Sequence, residues 1–289
     1  MSRIEGTART RALAAELKDL REQAGLTTRA AAARVGFSSA GLNRSELGKR
    51  LPSLEEVGAL LAVYSVVGKK RARILELTRA ANTPGWWESG EKRPLQLQLP
   101  ALITFESQAT RIVNFGPLLI PGLLQAHNYI RAVMDYARIP EADAEARIAT
   151  RVRRQTVLTK GRGPSYLAIV DEAALRRPIG GSLVMADQIR KLIEMSELPN
   201  VTIRAIPFRR GGYLPVGGFS LLNFSKATPI VFLDQGSAGA FLHKPDDTSR
   251  YQSSTDTMLK IALSADESVD FLARMATDHD RARSSFSGS

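Results

Sequence analysis

The stretch LAAELKDLREQAGLTTRAAAARVGFSSAGLNRSELGKRLPSLEEVGALLAVY, residues 13–64, packs several short helical patterns between glycine-centred turns. Leu13, Leu17, Leu20 and Ala24 recur at helical spacing, so residues 8–24 are expected to form a first amphipathic helix, ended by Gly25. Thr27 can cap a second helix over 28–35, whose Ala31, Ala32 and Ala33 leave room for a close neighbour. Gly36 makes a turn, Ser38 caps a third helix over 39–47, and Gly48 stops it. Ser53 and Glu56 form a capping box after Pro52, opening a fourth helix. A fifth, over 69–81, begins with Lys69, Lys70, Arg71 and Arg73.

Outside this stretch the bulk numbers narrow the classes. A chain of 289 residues holds roughly two domains on a prior of about 150 residues each. Cysteine is absent, so there are no disulfides and no thiolate metal site, in keeping with the cytoplasm. MSRIEGTARTR carries no apolar core of a signal peptide. The most apolar run, Val57 to Val67, is too short to span a bilayer, so no membrane role is expected. Net charge is +11, and residues 1–80 hold 15 Lys and Arg against 8 Asp and Glu, which is +7 of that total. Such an excess favours a polyanion through phosphate neutralisation and counterion release; a solubilising surface is the plain alternative.

These patterns predict an α+β chain. An all-α five-helix helix-turn-helix domain (1–81) precedes a linker (82–100), a larger α+β domain (101–280) with an antiparallel sheet, and a disordered tail (281–289). Trp86 and Trp87 sit in the linker, where they pin it to a domain or stack on a ligand. In the larger domain, helices are expected near 103–115, 122–137, 141–160, 182–197, 246–263 and 266–279. Strands are expected at 165–170, 201–206, 218–224, 230–234 and 239–242.

A helix-turn-helix lays its second helix of the pair in the DNA major groove. On the third helix, Ser38, Ser39, Ala40, Asn43 and Arg44 lie at or near the outer, N-terminal face. Arg44 suits a bidentate contact to guanine O6 and N7, Asn43 an adenine or a phosphate, and Ala40 a thymine methyl. Gly41 either permits close approach to DNA or avoids a clash with the second helix. Thr27, Thr28 and Arg29 open the second helix, where backbone N–H groups and hydroxyls can hold a phosphate. Lys49 and Arg50 follow the third helix and suit the next phosphates.

Residues 13–64 resemble the XRE (Cro/C1-type) helix-turn-helix family. The matching residues are Leu20-Arg21 before Gly25-Leu26, Ala32 and Val35-Gly36 in the turn, and Leu42, Arg44, Glu46, Gly48, Lys49 and Pro52-Ser53 after it. The resemblance implies that Arg21 and Glu46 form a structural ion pair rather than reading DNA. It also implies double-stranded DNA as partner, a palindromic operator and a homodimer. Thr28 stands where the family often has Gln, and Ser45 where an apolar residue is usual; the second implies a looser core or a different helix tilt.

Residues 101–280 carry FGPLLIPGLLQAHNYIRAVM (115–134), RVRRQTVL (151–158), YLAIVDEAALRRPIGG (166–181), VMADQIRKLIEM (184–195) and PNVTIRAIPF (199–208) in order. This set is similar to the domain of unknown function that follows an XRE module in many actinomycete regulators, the WhiJ-like group. The resemblance implies a transcription regulator with a possible small acidic partner protein, in an antitoxin-like arrangement. It supplies no ligand and no catalytic set.

On the residues alone, Gln125 and Tyr129 would share a helix face one turn apart and either pack or line a pocket. Arg151, Arg153, Arg154 and Gln155 form a basic stripe, either a solvated face or a surface for phosphate or an acidic partner. Asp171 and Glu172 suit the positive end of a following helix better than acid–base chemistry. The three histidines, His127, His243 and His279, lie far apart without metal-ligand spacing, and no nucleophile elbow or phosphate-binding loop is present. The reading is therefore a regulator and not an enzyme, with no metal and no cofactor. A partner-binding hub and a small-molecule sensor are the alternatives.

Overall fold

A computed structural model of the chain describes residues 8–82, 95–159, 163–210, 212–213, 217–225, 227–234 and 239–286. It divides into two compact units, Met1–Phe105 and Glu106–Ser289. Among the described residues no helix is long and apolar enough to cross a membrane.

The first unit holds α1 (Ala8–Gln23), α2 (Thr28–Arg34), α3 (Ser39–Glu46), α4 (Leu54–Val63) and α5 (Gly68–Asn82). Local chemistry sets their starts. The hydroxyls of Thr27, Ser38 and Ser53 accept from the backbone N–H of Ala30, Gly41 and Glu56 at 3.1, 3.0 and 3.2 Å. The Glu56 carboxylate returns the bond to Ser53 N at 2.8 Å, closing the capping box. Gly36 adopts φ +72°, a left-handed turn that a side chain would strain, and so swings the chain from α2 into α3. The inward faces meet in one core of Leu13, Leu17, Leu20, Leu42, Val57, Leu60, Leu61 and Ile74, with Ala31 and Ala32 supplying the close approach of α2.

A sixth helix, α6 (Leu95–Gln108), begins inside the segment read as a linker. Pro100 lies within it. Proline removes one N–H from the ladder, which kinks a helix without forbidding its continuation. The division between the units falls within this helix. Residues 83–94, with Trp86 and Trp87, lie outside the described residues.

The second unit is built on a six-stranded sheet of order β3-β2-β1-β4-β5-β6. The strands are β1 (Arg111–Gly116), β2 (Ser165–Asp171), β3 (Val201–Ile206), β4 (Phe219–Asn223), β5 (Ile230–Asp234) and β6 (Gly239–Leu242). β1, β2 and β3 run parallel, with Ile112 opposite Tyr166 and Tyr166 opposite Val201. β4, β5 and β6 continue from β1 as an antiparallel meander. The sheet is thus mixed, not antiparallel as expected. The parallel pairs are β1–β2 and β2–β3, and β1 lies within and just beyond the helix expected over 103–115. Its run Ile112-Val113-Asn114-Phe115 is buried on both faces, and such a run has no period to separate strand from helix.

Long connections carry the parallel strands. Between β1 and β2 come a 3-10 turn (Gly122–Leu124), α7 (His127–Tyr136) and α8 (Glu141–Thr159). Between β2 and β3 come α9 (Glu172–Arg176) and α10 (Ser182–Ser196). α11 (Pro245–Ile261) and α12 (Ala265–Phe286) follow the sheet. Val113, Phe115, Leu167, Ile169 and Leu221 share one sheet face and pack with Met258 of α11. The tail expected to be disordered from residue 281 is helical to Phe286, since α12 runs past its predicted end.

Candidate nucleic-acid interface

α3 has two chemically distinct faces. Gly41, Leu42, Ser45 and Glu46 are buried, while Ser39, Ala40, Asn43 and Arg44 are exposed, as a 3.6-residue period dictates for a helix packed on one side. Leu42 anchors the inner face at 1% exposure. The inner face is held by charge as well. Arg21 near the end of α1 donates through Nε and Nη2 to the two Glu46 oxygens at 2.8 and 3.1 Å. Its Nη1 donates to Leu26 O at 2.7 Å. One guanidinium therefore ties α1, the turn before α2, and the end of α3. The Glu46 hydrogen bonds hold Arg21 above the usual arginine range against the opposing pull of burial. Burial pushes the neighbouring Tyr64 phenol up to about 12.

Three features differ from the sequence reading. Arg50 is committed internally: its Nη2 lies 2.7 Å from the Glu56 carboxylate and its Nε donates to Ser45 Oγ at 3.1 Å. That bond also accounts for a serine at a position where an apolar residue is usual, because buried Ser45 receives a guanidinium instead of packing loosely. Gly41 answers to its own cap, since a Cβ there would come 2.9 Å from Ser38 Oγ and disturb the hydroxyl that starts the helix.

The remaining residues stand where a ligand can reach them. Thr27 is exposed but its hydroxyl is used as a cap, leaving half-buried Thr28 and exposed Arg29 at the start of α2. Ser38 likewise spends its hydroxyl on Gly41 N. Arg29, Arg44 and Lys49 are exposed and form no ion pair among the described residues, in contrast to Arg21, Arg50 and Arg73, each held by a glutamate. Two exposed neighbours escaped the sequence reading. Arg34 ends α2 without an ion pair among the described residues, and Leu47 follows α3 at 55% exposure on its outer side. The same 3.6-residue spacing that selected Asn43 and Arg44 also selects Leu47.

Comparison with family profiles gives two matches in this order along the chain. A helix-turn-helix domain profile matches residues 12–74, and a domain of unknown function, DUF5753, matches residues 99–274. The chain belongs to the DUF5753 family. No curated protein and no solved structure matches it.

Within the DUF5753 domain the four residues singled out from sequence turn inward. Gln125 and Tyr129 do not share a helix face, because Gln125 follows the 3-10 turn in extended backbone and α7 starts two residues later. Both instead fasten Ile120: Gln125 Nε2 donates to Ile120 O at 2.7 Å, and Tyr129 Oη accepts from Ile120 N at 3.2 Å. Tyr129 is fully buried, and burial raises its phenol above the ordinary range. Arg151 donates to Gln125 Oε1 at 2.8 Å, and burial brings its guanidinium down to about 10. Arg154 forms a two-bond pair with Glu106 of α6, at 3.0 and 2.7 Å. Burial pulls Arg154 down, and the charge and hydrogen bonds of Glu106 outweigh it. Gln155 donates to the carbonyls of Gly122 and Gln125. The stripe on α8 is therefore mostly an internal polar seam, with Arg153 its exposed member. Sequence periodicity could not separate these cases, because the neutralising partner Glu106 is 48 residues away.

Asp171 caps α9 by accepting from Ala173 N at 2.8 Å and also accepts from the Tyr213 hydroxyl at 2.7 Å. His127 is exposed, and His279 is buried with Nε2 2.8 Å from Leu175 O. Among the described residues no three His, Asp or Glu side chains converge as a metal site requires.

Proposed function

We propose that the chain is a cytoplasmic, sequence-specific transcription regulator that binds a palindromic operator as a homodimer. In this reading α3 enters the major groove, and Ser39, Ala40, Asn43 and Arg44 read base edges. Thr28, Arg29 and Lys49 hold the flanking phosphates, and the DUF5753 domain pairs two copies and receives a signal from a partner protein or a ligand. No catalytic chemistry is assigned to the chain. The observation that carries the reading is the division of α3: one side locked by Leu42 and the Arg21–Glu46 pair, the other presenting short polar side chains and an unpaired guanidinium.

The test is fluorescence anisotropy of the full chain on a duplex selected from a random pool and on its scrambled counterpart. The selected duplex should bind at least about a thousandfold more tightly, with affinity falling steeply as salt rises. Equal affinity for the two duplexes would sink the proposal.

A further inference from the structure

A groove of about 910 Å³ opens in the second unit beyond the carboxyl ends of β2 and β3. One wall is the chain leaving those strands, with Glu172 after β2 and Pro207, Phe208 and Arg209 after β3. The other wall is α12, which contributes Phe271, Arg274 and Asp278. The groove therefore lies where two neighbouring parallel strands both hand the chain out of the sheet on the same side.

The charges in the groove are not balanced. The Glu172 carboxylate is fully used: Oε1 takes Arg176 Nε at 2.5 Å and Oε2 takes Phe208 N at 2.8 Å. Arg209 and Arg274 are exposed and form no ion pair among the described residues. Arg274 lies 5.8 Å from the centroid of the Phe271 ring, within reach of a cation–π contact. Phe208 stands beside Arg209 at 60% exposure, a large aromatic face in water. Two guanidiniums suit an anion with oxygens on a fork, and an open ring beside them suits a flat partner. Bare phosphate would leave both the ring and most of the volume unused.

We propose that this groove binds a small phosphorylated ligand carrying a flat ring, of the nucleoside monophosphate kind. Arg209 and Arg274 grip the phosphate, Phe208 stacks on the ring, and Asp278 accepts from a ring amine or sugar hydroxyl. The inference deepens the regulator reading, whose signal site it supplies, but the binding itself is measured without DNA.

Isothermal titration of the full chain with AMP, GMP, adenosine and inorganic phosphate tests it. The nucleotides should bind at one per chain. Arg209→Ala and Arg274→Ala should each weaken them about tenfold or more, as loss of a charge-assisted pair does. Phe208→Ala should weaken nucleotides and leave phosphate unchanged. Arg153→Ala, on α8 and outside the groove lining, should change nothing. All four side chains are exposed, so thermal melts should match the parent and separate lost binding from lost folding. The proposal is overturned if millimolar nucleotide gives no heat, if Arg153→Ala costs as much as Arg274→Ala, or if a decaglutamate peptide binds where nucleotides do not. Nucleotide binding in a chain that fails to select DNA would retain this site and remove the regulator reading; the converse would do the opposite.

Discussion

Arg44 and Lys49 are both exposed cations without an internal ion pair among the described residues, yet they belong to different kinds of contact. Arg44 lies on the outer face of α3, and its planar fork matches one base edge. Lys49 follows the helix and offers a point charge to a phosphate. Arg44→Ala should therefore cost about 1–3 kcal/mol on the preferred duplex and flatten discrimination at one base pair. Lys49→Ala should weaken every duplex alike and lower the salt slope by about one. Binding titrations against single-base variants of the selected site, at several salt concentrations, distinguish the two. If Arg44→Ala leaves base preference intact, that side chain is no reader. Arg50 provides the contrast: Glu56 and Ser45 hold it, so Arg50→Ala should act first on the stability of the N-terminal unit.

Elements are joined in this protein by a few buried polar links as well as by apolar packing. The Ser38 hydroxyl starts α3, and losing it should cost about 1 kcal/mol of stability. Ser38→Ala should weaken DNA binding by loosening the helix without changing which bases are preferred, measured by a thermal melt alongside the same titrations. In the second unit the Glu106–Arg154 pair joins the end of α6 to α8, with the side chains 4% and 11% exposed. Removing one partner strands a buried charge, so Arg154→Met should destabilise by about 3–5 kcal/mol. Removing both is far milder, because the cost lies mainly in the orphaned charge. Glu106→Leu combined with Arg154→Met should recover most of the loss in urea unfolding, and a double variant as unstable as the single would contradict that account.

Across the whole molecule the charge excess and the proposed pairing of copies make a joint prediction. Two helix-turn-helix modules held by their larger domains should protect paired half-sites about 34–36 Å apart, one duplex turn. Footprinting of the full chain on the selected duplex checks this. Full-strength binding of one chain to a lone half-site would rule out the paired mode. The N-terminal helices were legible in advance because their signals are local: apolar residues three and four apart, hydroxyl caps, and glycines such as Gly36 at turns. The outer face of α3 was legible for the same reason. The direction of the sheet was not, since β1 is an apolar run whose identity comes from strand partners 54 or more residues away. The roles of Gln125, Arg151 and Arg154 were hidden likewise, for a basic stripe reads the same whether it faces water or a buried glutamate. By itself the sequence determined what depends on a few adjacent residues: helix limits, caps, turns, and which side of α3 is polar. Tertiary structure alone decided the mixed sheet, the commitment of Arg50, the seam along α8 and the groove beyond β3, because each depends on groups that only folding brings within a few ångströms.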